Sequence, residues 1–470
     1  MYLRHLKLEN LKLLREVDIS FLRDDEPRPW TVFVGKNGLC KTAILQAIAM
    51  AASGPTLASE LADVLSLPDR RRPTAPTSIE AVFGFGPELH SLRDYPGFNR
   101  RPKQRPRLHS RLKTEFGWRD FDGRAAYLEG CDVPLIDPLL EARRRQLPAW
   151  FVAGYGTVRA LPEPVTRLMA NEGPIDRIKS RLDNLFDRGS LLATSFTRLF
   201  EGELADAYKE ALWQVLAHSG LLPGVSGLEL NGPTQLESSP GLGDVQLFEL
   251  TMGKERLTVP ATWMSKGYQG TIAWVADLVG QILLDAKKPL SPGKMEGLVL
   301  VDELDLHLHP TWQAALIPAL KKTFPRLQFV GTTHSAMLLP GLAQDEILLL
   351  RQDEEGSVHV EPAPESPALM TGSEIFDTFF DLHRLYPNEL GEALRRYGYL
   401  ASNAYRSDDE EREMHQLLAR LKKNGIEPGW TAVPRRGRSS SGRSSTSRKV
   451  VRKKTASKRG GRSKPVGKKR

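Results

Sequence analysis

The segment that most constrains this chain is a glycine-rich loop between a short apolar run and an alanine-rich stretch. The run Trp30 to Val34 predicts a buried strand, and Lys41 to Ala52 predicts a helix. In a strand–loop–helix unit, the backbone N–H groups of the loop and of the first helical turn point at phosphate groups. We therefore expect an α/β domain built around a phosphate-binding loop. The loop reads Gly35-Lys36-Asn37-Gly38-Leu39-Cys40-Lys41-Thr42.

The last three residues of this loop indicate what it can bind. The Lys41 ammonium is placed to reach the β- and γ-phosphates of a nucleotide, and the Thr42 hydroxyl is placed to ligate Mg²⁺. Cys40 stands where the phosphate-loop pattern has its last glycine. We interpret Cys40 as an inert replacement that reduces the fitness of the loop, in preference to a redox switch. Taken alone, the segment also fits a glycine-rich turn with a chance Lys-Thr pair.

Three further segments carry chemistry that such a loop needs. The apolar run Leu298 to Val301 ends in Asp302 and Glu303, so one carboxylate can support Mg²⁺ while the other polarises a water molecule. Met264 to Gln269 holds a Ser-x-Gly pattern just before a predicted helix, and Thr332 to Ser335 follows another predicted strand. Each segment is common by itself, but the four together in this order are not expected by chance.

The order of these segments is that of ABC-type ATPases. The chain resembles the RecF/SMC/OLD group of those enzymes, which are often described as AAA family ATPases. Val301 to Gln313 resembles their extended Walker B segment, and Leu6 to Leu11 resembles the strand that opens such heads. Gly154 to Arg159 resembles the Gly-Tyr-Gly-x-x-Arg segment of the Septu (PtuA) type of antiphage ATPase. The resemblance covers roughly residues 1 to 350 and implies an α/β fold, an ABC-type P-loop head with a mixed sheet.

The resemblance also implies a site for ATP and Mg²⁺. Thr42 and Asp302 would hold the metal, Glu303 would be the catalytic base, and His334 would sense the γ-phosphate. The nucleotide-binding residues implied in the same protomer are Gly35, Lys36, Asn37, Gly38, Leu39, Cys40, Lys41 and Thr42.

Two residues of the Ser-x-Gly segment carry an implication about assembly. In the resembling proteins, residues at the positions of Ser265 and Gly267 meet the γ-phosphate of a nucleotide held by another protomer. The resemblance therefore implies a head-to-head homodimer with ATP between the heads, closed by ATP binding and reopened by hydrolysis.

Charge is distributed unevenly along the chain. The formal net charge is +9, from 66 basic and 57 acidic residues. Arg435 to Arg470 holds 16 of the basic residues and no acid, so the rest carries 50 basic and 57 acidic residues, or −7. This Arg/Lys/Ser/Gly tail has almost nothing to bury, so we expect it to be disordered and to bind polyanions by counterion release.

A second basic segment leaves two interpretations open. Arg100 to Lys113 has seven Lys or Arg residues and no acid. It is either a solvated insert or a surface that faces a nucleic-acid backbone.

The composition also excludes two classes of protein. No apolar run approaches the roughly 20 residues of a membrane helix, so a membrane-spanning protein is not expected. Two cysteines, Cys40 and Cys131, exclude a disulfide scaffold, so a cytoplasmic location is expected.

The pattern of apolar residues predicts five regions. They are an N-terminal ATPase lobe (1–160), a helical insert (161–224), a C-terminal ATPase lobe (225–372), a helical appendage (373–430) and the tail (431–470). Strands are predicted at 3–21 with a turn near Asn10, and at 79–85, 112–118, 150–156, 298–301 and 327–330, with short strands within 225–262. Helices are predicted at 175–185, at 204–215 before Gly220, from 269 to about 285, from 311, and through 373–424 with Ser407 as a cap.

Two candidate metal groupings are given structural interpretations. His307 and His309 could form a metal pair, but a third ligand is not evident, so we expect them to be structural. The acidic run Asp408 to Glu411 comes closest to a nuclease metal site, yet acids after a capping serine are explained by the helix dipole.

We therefore expect a cytoplasmic ATPase that acts as a dimer on or near DNA, in DNA repair or in antiphage defence, with any nuclease supplied by a separate protein. A second hypothesis is a nucleotide-gated scaffold that barely hydrolyses ATP and controls a partner effector. An ATP subunit of a membrane transporter is disfavoured by the helical insert and the basic tail. A nucleic-acid-binding protein with a vestigial head is disfavoured by the four motifs.

Overall fold

The computed structural model forms two compact units, Met1–His383 and Arg384–Arg470. The residues that it describes are 1–87, 90, 95–122, 126–133, 135, 137–145, 150–161, 174–186, 203–230, 248–252, 257–382, 388–428 and 431–435. The predicted tail beyond residue 435 lies outside the described residues.

Among the described residues, the first unit combines four sheets with helices: two large sheets, a three-stranded sheet and a two-stranded sheet. Its strands are β1 (Tyr2–Leu11), β2 (Leu14–Ser20), β3 (Leu22–Arg23), β4 (Glu26–Pro27), β5 (Trp30–Val34), β6 (Thr77–Gly84), β7 (Leu108–Thr114), β8 (Ala126–Leu128), β9 (Val152–Tyr155), β10 (Val225–Leu230), β11 (Phe248–Met252), β12 (Leu257–Pro260), β13 (Gly297–Val301), β14 (Leu327–Thr333), β15 (Ile347–Gln352) and β16 (Val358–Pro362). Its helices are α1 (Lys41–Ser53), α2 (Pro55–Leu61), α3 (Pro138–Arg144), α4 (Pro174–Asp183), α5 (Ala205–Leu212), α6 (Lys266–Ala286), α7 (Pro310–Thr323) and α8 (Gly372–Phe380). The two smaller sheets are β10-β11-β12 and β3-β4.

Within the described residues, the central sheet has six strands in the order β16-β15-β5-β14-β13-β9. Five of them run parallel, and β16 pairs antiparallel with β15, so the predicted mixed sheet is confirmed. Strands β5, β13 and β14 are buried along their whole length, as their continuous apolar sequences predict. Because the carboxyl ends of parallel strands share one edge, the loops after β5, β13 and β14 converge there.

Helix α1 lies between this sheet and a second one. The second sheet is antiparallel, in the order β2-β1-β6-β7-β8. The helix is apolar on nearly all sides, and residues such as Ile44 and Ile48 share one core with Leu6 of β1 and Leu300 of β13. This double burial fixes the start of α1, and with it the loop that precedes the helix. The other face of the central sheet is covered by α5, α6 and α7.

Most predicted elements are confirmed, but one strand is wrong. The prediction put a strand at 112–118, whereas β7 spans Leu108–Thr114. The inward side chains of β7 are Leu108, Ser110, Leu112 and Thr114, and the chain turns at Gly117 with φ +83°. Two polar inward residues hide the period-two pattern from a search for apolar alternation.

The predicted helical regions are also subdivided. The helix expected at 204–215 ends as an α-helix at Leu212 and continues as one wider π-type turn, Trp213–His218. Residues 373–424, expected to be helical with a helix beginning after Ser407, form α8 and two helices of the second unit, α9 (Asn388–Ser402) and α10 (Asp408–Lys423). Parts of the predicted helical insert, 162–173 and 187–202, lie outside the described residues.

The second unit is a helical hairpin with its own small core. Helices α9 and α10 pack through an apolar cluster that includes Tyr397, Leu400 and Met414. Ser407 caps α10 as predicted: its hydroxyl accepts from the N–H of Glu410, whose carboxylate accepts from the N–H of Ser407. Across the described part of the chain, no helix is both long and apolar enough to cross a membrane.

Candidate active site

The glycine-rich loop leaves the carboxyl end of β5 and enters α1 at Lys41. A Cβ atom at Gly35 would lie 2.9 Å from the carbonyl oxygen of Leu350, so only glycine fits there. Gly38 and Cys40 both have left-handed backbones, with φ +83° and +62°. Cys40 therefore stands in a conformation that favours glycine, which is the physical basis of the glycine in the motif.

Lys41 is buried and directed back over the loop. Its Nζ donates to the carbonyl oxygen of Gly35 at 2.8 Å and to that of Lys36 at 2.9 Å. Burial lowers the pKa of Lys41 to about 8, although Asp302 and Glu303 act in the opposite direction. An anion bound in the loop would favour the charged form, so this ammonium is suited to a phosphate group.

Thr42 and Asp302 bring two of the predicted segments into direct contact. The Thr42 hydroxyl donates to Asp302 Oδ2 at 2.7 Å, and the Thr332 hydroxyl donates to Asp302 Oδ1 at 2.6 Å. Asp302 is only 4% exposed, so its carboxylate has a fixed orientation. A hydroxyl and a carboxylate side by side are the oxygen ligands that Mg²⁺ takes together with substrate phosphates, so these residues fit the metal.

Glu303 follows Asp302 in a left-handed conformation, with φ +46°. Its N–H donates to Thr332 Oγ1 at 2.8 Å. On the other side, Arg159 Nη2 contacts the carbonyl oxygens of Asp302 and Glu303, the latter at 3.2 Å, and Arg159 Nε donates to Gly156 O at 2.8 Å. Burial lowers the pKa of Arg159 to about 10, while the nearby carboxylates oppose the shift.

His334 is held at the end of β14 by Asp305. Asp305 Oδ1 accepts from the Thr333 hydroxyl at 2.5 Å and from the His334 N–H at 3.2 Å. Burial, followed by the charge of Lys41, lowers the pKa of His334. The imidazole is therefore favoured in its neutral form, with one nitrogen able to donate and the other able to accept.

The Ser-x-Gly segment begins α6. Ser265 is the exposed N-cap residue, and its side chain makes no capping hydrogen bond. Gly267 is buried, and a Cβ atom there would lie 2.5 Å from the carbonyl oxygen of His307. Glycine thus lets the first turn of α6 pack directly on the loop that follows Glu303.

His307 and His309, the two histidines of that loop, have different environments. His309 is the N-cap of α7, where its Nδ1 accepts from the N–H of Thr311 and lies 2.9 Å from the Thr311 hydroxyl. His307 is exposed with φ +62°. Within the described residues, no group of three or more His, Cys, Asp or Glu side chains could hold a metal ion.

The fold thus gathers the loop, Asp302, Glu303 and His334 at one edge of the sheet. The prediction of site residues omitted three neighbours: Arg159, Thr332 and Asp305. Each lies inside a quoted motif, but only the structure shows its hydrogen bonds to the backbone or carboxylate of a predicted site residue.

Comparison with known proteins found a family model and several relatives that match parts of this chain. Residues 170–339 match the family model described as "AAA domain, putative AbiEii toxin, Type IV TA system". The Septu protein PtuA of Bacillus mycoides is 23% identical over 437 residues, which are 90% of this chain and 50% of that protein. The "Retron Ec83 probable ATPase" of Escherichia coli is 30% identical over 176 residues, which are 36% of this chain and 32% of that protein. The chain therefore spans half or less of the length of these relatives.

Among solved structures, the SMC head domain from Thermotoga maritima aligns with a TM-score of 0.41 and 16% identity, over 78% of this chain and all of that one. An Smc head domain derived from Pyrococcus furiosus aligns with a TM-score of 0.45 and 14% identity, over 77% of this chain and 96% of that one.

Proposed function

Because the chain contains an AAA/ABC-type ATPase domain homologous to the Septu PtuA and retron ATPases, we propose that it binds ATP with Mg²⁺ and hydrolyses ATP to ADP and phosphate. The observation that carries this proposal is the hydrogen bond from Thr42 to Asp302, because it joins the phosphate loop to the acidic end of β13. Thr42 and Asp302 would hold Mg²⁺, which would supply charge neutralisation on the phosphate oxygens.

In this proposal, different side chains bind the phosphates and assist hydrolysis. Loop N–H groups and Lys41 bind the phosphates, and Lys41 exchanges its two carbonyl partners for phosphate oxygens. Glu303 accepts a proton from the attacking water. Neutral His334 donates a hydrogen bond to the γ-phosphate, while Asp305 holds its backbone.

The exposed face at the start of α6 supports a homodimer. Ser265 and Lys266 are exposed, and the adjacent Trp263 is 78% exposed. In the proposed dimer, Ser265 and Gly267 contact the γ-phosphate of a nucleotide held by the second copy. The dimer closes on ATP and opens after hydrolysis.

The binding proposal is tested by Lys41→Ala, with the exposed Lys294→Ala as a matched control. Titration with a fluorescent ATP analogue should show at least about a tenfold loss of affinity for Lys41→Ala, the scale of a lost hydrogen bond to a charged group. Lys294→Ala should bind as the wild type does. Equal affinities in all three proteins would contradict the site.

We further propose that the protein acts on or near nucleic acid. The tail beyond residue 435 supplies sequence-independent charge. In the folded part, Lys103, Arg105 and Arg107 line a groove of about 610 Å³ together with acidic and apolar residues, and within the described residues these three make no ion pair. By contrast, Arg111 in the same basic segment pairs with Glu80 at 2.7 Å.

This contrast provides a matched experiment. In a chain ending at Arg435, replacing Lys103, Arg105 and Arg107 together by alanine should weaken the binding of single-stranded or duplex DNA and reduce its salt dependence. Arg111→Ala should change neither, because its charge is already paired. If both variants bind as the parent does, the groove is not the nucleic-acid surface.

We propose antiphage defence as the process, with DNA repair as an alternative, and a separate nuclease or effector as the partner. A nucleotide-gated scaffold that barely hydrolyses ATP remains the second candidate function. Its support is Cys40, whose left-handed backbone strains the phosphate loop. Steady-state turnover separates the two: a wild-type rate no greater than that of Glu303→Gln would favour the scaffold.

A further inference from the structure

The catalytic carboxylate proposed above lies on a strained piece of backbone. Glu303 has φ +46°, and no glycine relieves that conformation. A residue of this type persists in the left-handed region only where surrounding contacts fix it. The contacts that fix Glu303 therefore determine where its side chain starts.

Two side chains from different elements provide those contacts. Thr332 of β14 accepts from the Glu303 N–H at 2.8 Å, and its own hydroxyl donates to Asp302 Oδ1 at 2.6 Å. Arg159, which follows β9, contacts the carbonyl oxygens of Asp302 and Glu303. The peptide groups on both sides of the Glu303 Cα are thus held, one through an N–H and one through a C=O.

Arginine is the side chain that this position needs. Its Nε donates to Gly156 O, after β9, at 2.8 Å, and its Nη2 donates to the carbonyl oxygens after β13. One planar group therefore joins the ends of the adjacent strands β9 and β13. A lysine has its donors on a single nitrogen and cannot span the same acceptors. The half-buried guanidinium also interacts electrostatically with Asp302, Glu303 and Asp305, so its charge offsets theirs.

Arg159 also borders the Ser-x-Gly helix. A Cβ atom built on Gly270 would lie 3.7 Å from the Arg159 Cβ, so the first turns of α6 pass directly beside the arginine. The same helix contacts the loop after Glu303 through Gly267 and the carbonyl oxygen of His307.

We infer that Arg159 and Thr332 form a clamp that positions Glu303 for water activation, and that neither is needed to bind nucleotide. The inference rests on the proposed ATPase function. It makes both side chains positioning residues, because they act through Glu303.

The test uses three single variants, one at Arg159 and two at Thr332. Arg159→Lys and Thr332→Val should each lower kcat at least about tenfold, the scale expected when a catalytic group moves by a fraction of an ångström. Binding of a fluorescent ATP analogue should stay within about threefold of wild type, a split that general destabilisation would not produce. Thr332→Ser, which keeps the hydroxyl, should restore most of the rate.

A double variant gives the readout that a purely structural role would not move. If Arg159 acts through Glu303, Arg159→Lys combined with Glu303→Gln should be no slower than Glu303→Gln alone. Independent, multiplying losses would overturn the inference, as would a wild-type kcat in both Arg159→Lys and Thr332→Val. If Arg159→Lys does not fold, the Thr332 pair decides the clamp. A wild-type protein without ATP turnover would contradict the proposed function itself.

Discussion

Replacing Cys40 by glycine and by alanine measures the strain in the phosphate loop. The wild-type residue has φ +62° at the N-cap of α1, which costs an L-residue about 1–2 kcal/mol. Its half-buried thiol packs beside the second core, and removing it costs about 1 kcal/mol, comparable with one buried methylene group. Burial also raises the pKa of the thiol, which keeps it in the neutral form.

These terms predict different results for the two variants. Cys40→Ala keeps the strain and loses the packing, so its free energy of unfolding should fall by about 1 kcal/mol. Cys40→Gly also loses the packing but is relieved of the strain, against a backbone entropy cost of about 0.5–1 kcal/mol. Cys40→Gly should therefore be more stable than Cys40→Ala by about 0.5–1 kcal/mol, and close to wild type.

Urea denaturation followed by circular dichroism measures the stability order, and ATP affinity and turnover measure the functional effect. Cys40→Gly should bind ATP more tightly or hydrolyse it faster than wild type, because loop backbone approaches phosphate closely and glycine permits that approach. A glycine variant that is less stable than the alanine variant would refute the left-handed assignment. A glycine variant with neither higher affinity nor higher rate would show that the loop tolerates cysteine.

Three further predictions concern other parts of the chain. The pKa of Lys41 is about 8 without nucleotide, and a bound phosphate raises it, so ATP affinity should fall by up to about tenfold per pH unit above pH 8. In calorimetric titrations, Lys41→Arg should remove that pH dependence. Deleting residues 436–470 should leave the melting temperature and basal ATPase rate unchanged but flatten the salt dependence of DNA binding; unchanged binding would locate the nucleic-acid site in the folded part. The purified chain should not cut DNA with Mg²⁺ or Mn²⁺. The acidic run that comes closest to a nuclease metal site has structural roles, because Asp408 pairs with Arg435 at 2.5 Å in a capped first helical turn. Metal-dependent cutting that is lost in Asp408→Ala but retained in Lys41→Ala would contradict this prediction.

The fold and the segments that form the candidate site could be predicted because their signals are local. A continuous apolar run such as Leu298 to Val301 predicts a buried strand, and the fixed spacing of Lys41 and Thr42 after a strand predicts the phosphate loop. The resemblance implied that the central sheet is mixed, and the structure confirms that it has both parallel and antiparallel strand pairs.

The missed residues depend on contacts between segments distant in sequence. Arg159 acts on Glu303 across 144 positions, and its role depends on strand β9 lying beside β13. Thr332 resembles any strand threonine until β14 is placed next to β13. The predicted position of strand β7 was wrong because Ser110 and Thr114 point inward among apolar residues. Periodicity in one sequence carries none of this pairing information.

Arg435, which the composition assigns to the basic tail, is among the described residues and makes contacts within the second unit. It donates to the carbonyl oxygen of Arg406 at 2.8 Å and pairs with Asp408. Composition alone does not separate a basic residue that closes a helical hairpin from those that follow it. The truncation above therefore begins at residue 436.

The most direct test of the central claim is a single-turnover measurement of ATP hydrolysis by wild type and Glu303→Gln at saturating enzyme. The account predicts equal nucleotide binding, a hydrolysis rate lower by about 10²-fold or more in Glu303→Gln, and a stable ATP-bound dimer of that variant in light scattering. Hydrolysis by Glu303→Gln at the wild-type rate would contradict the assignment of Glu303 as the base.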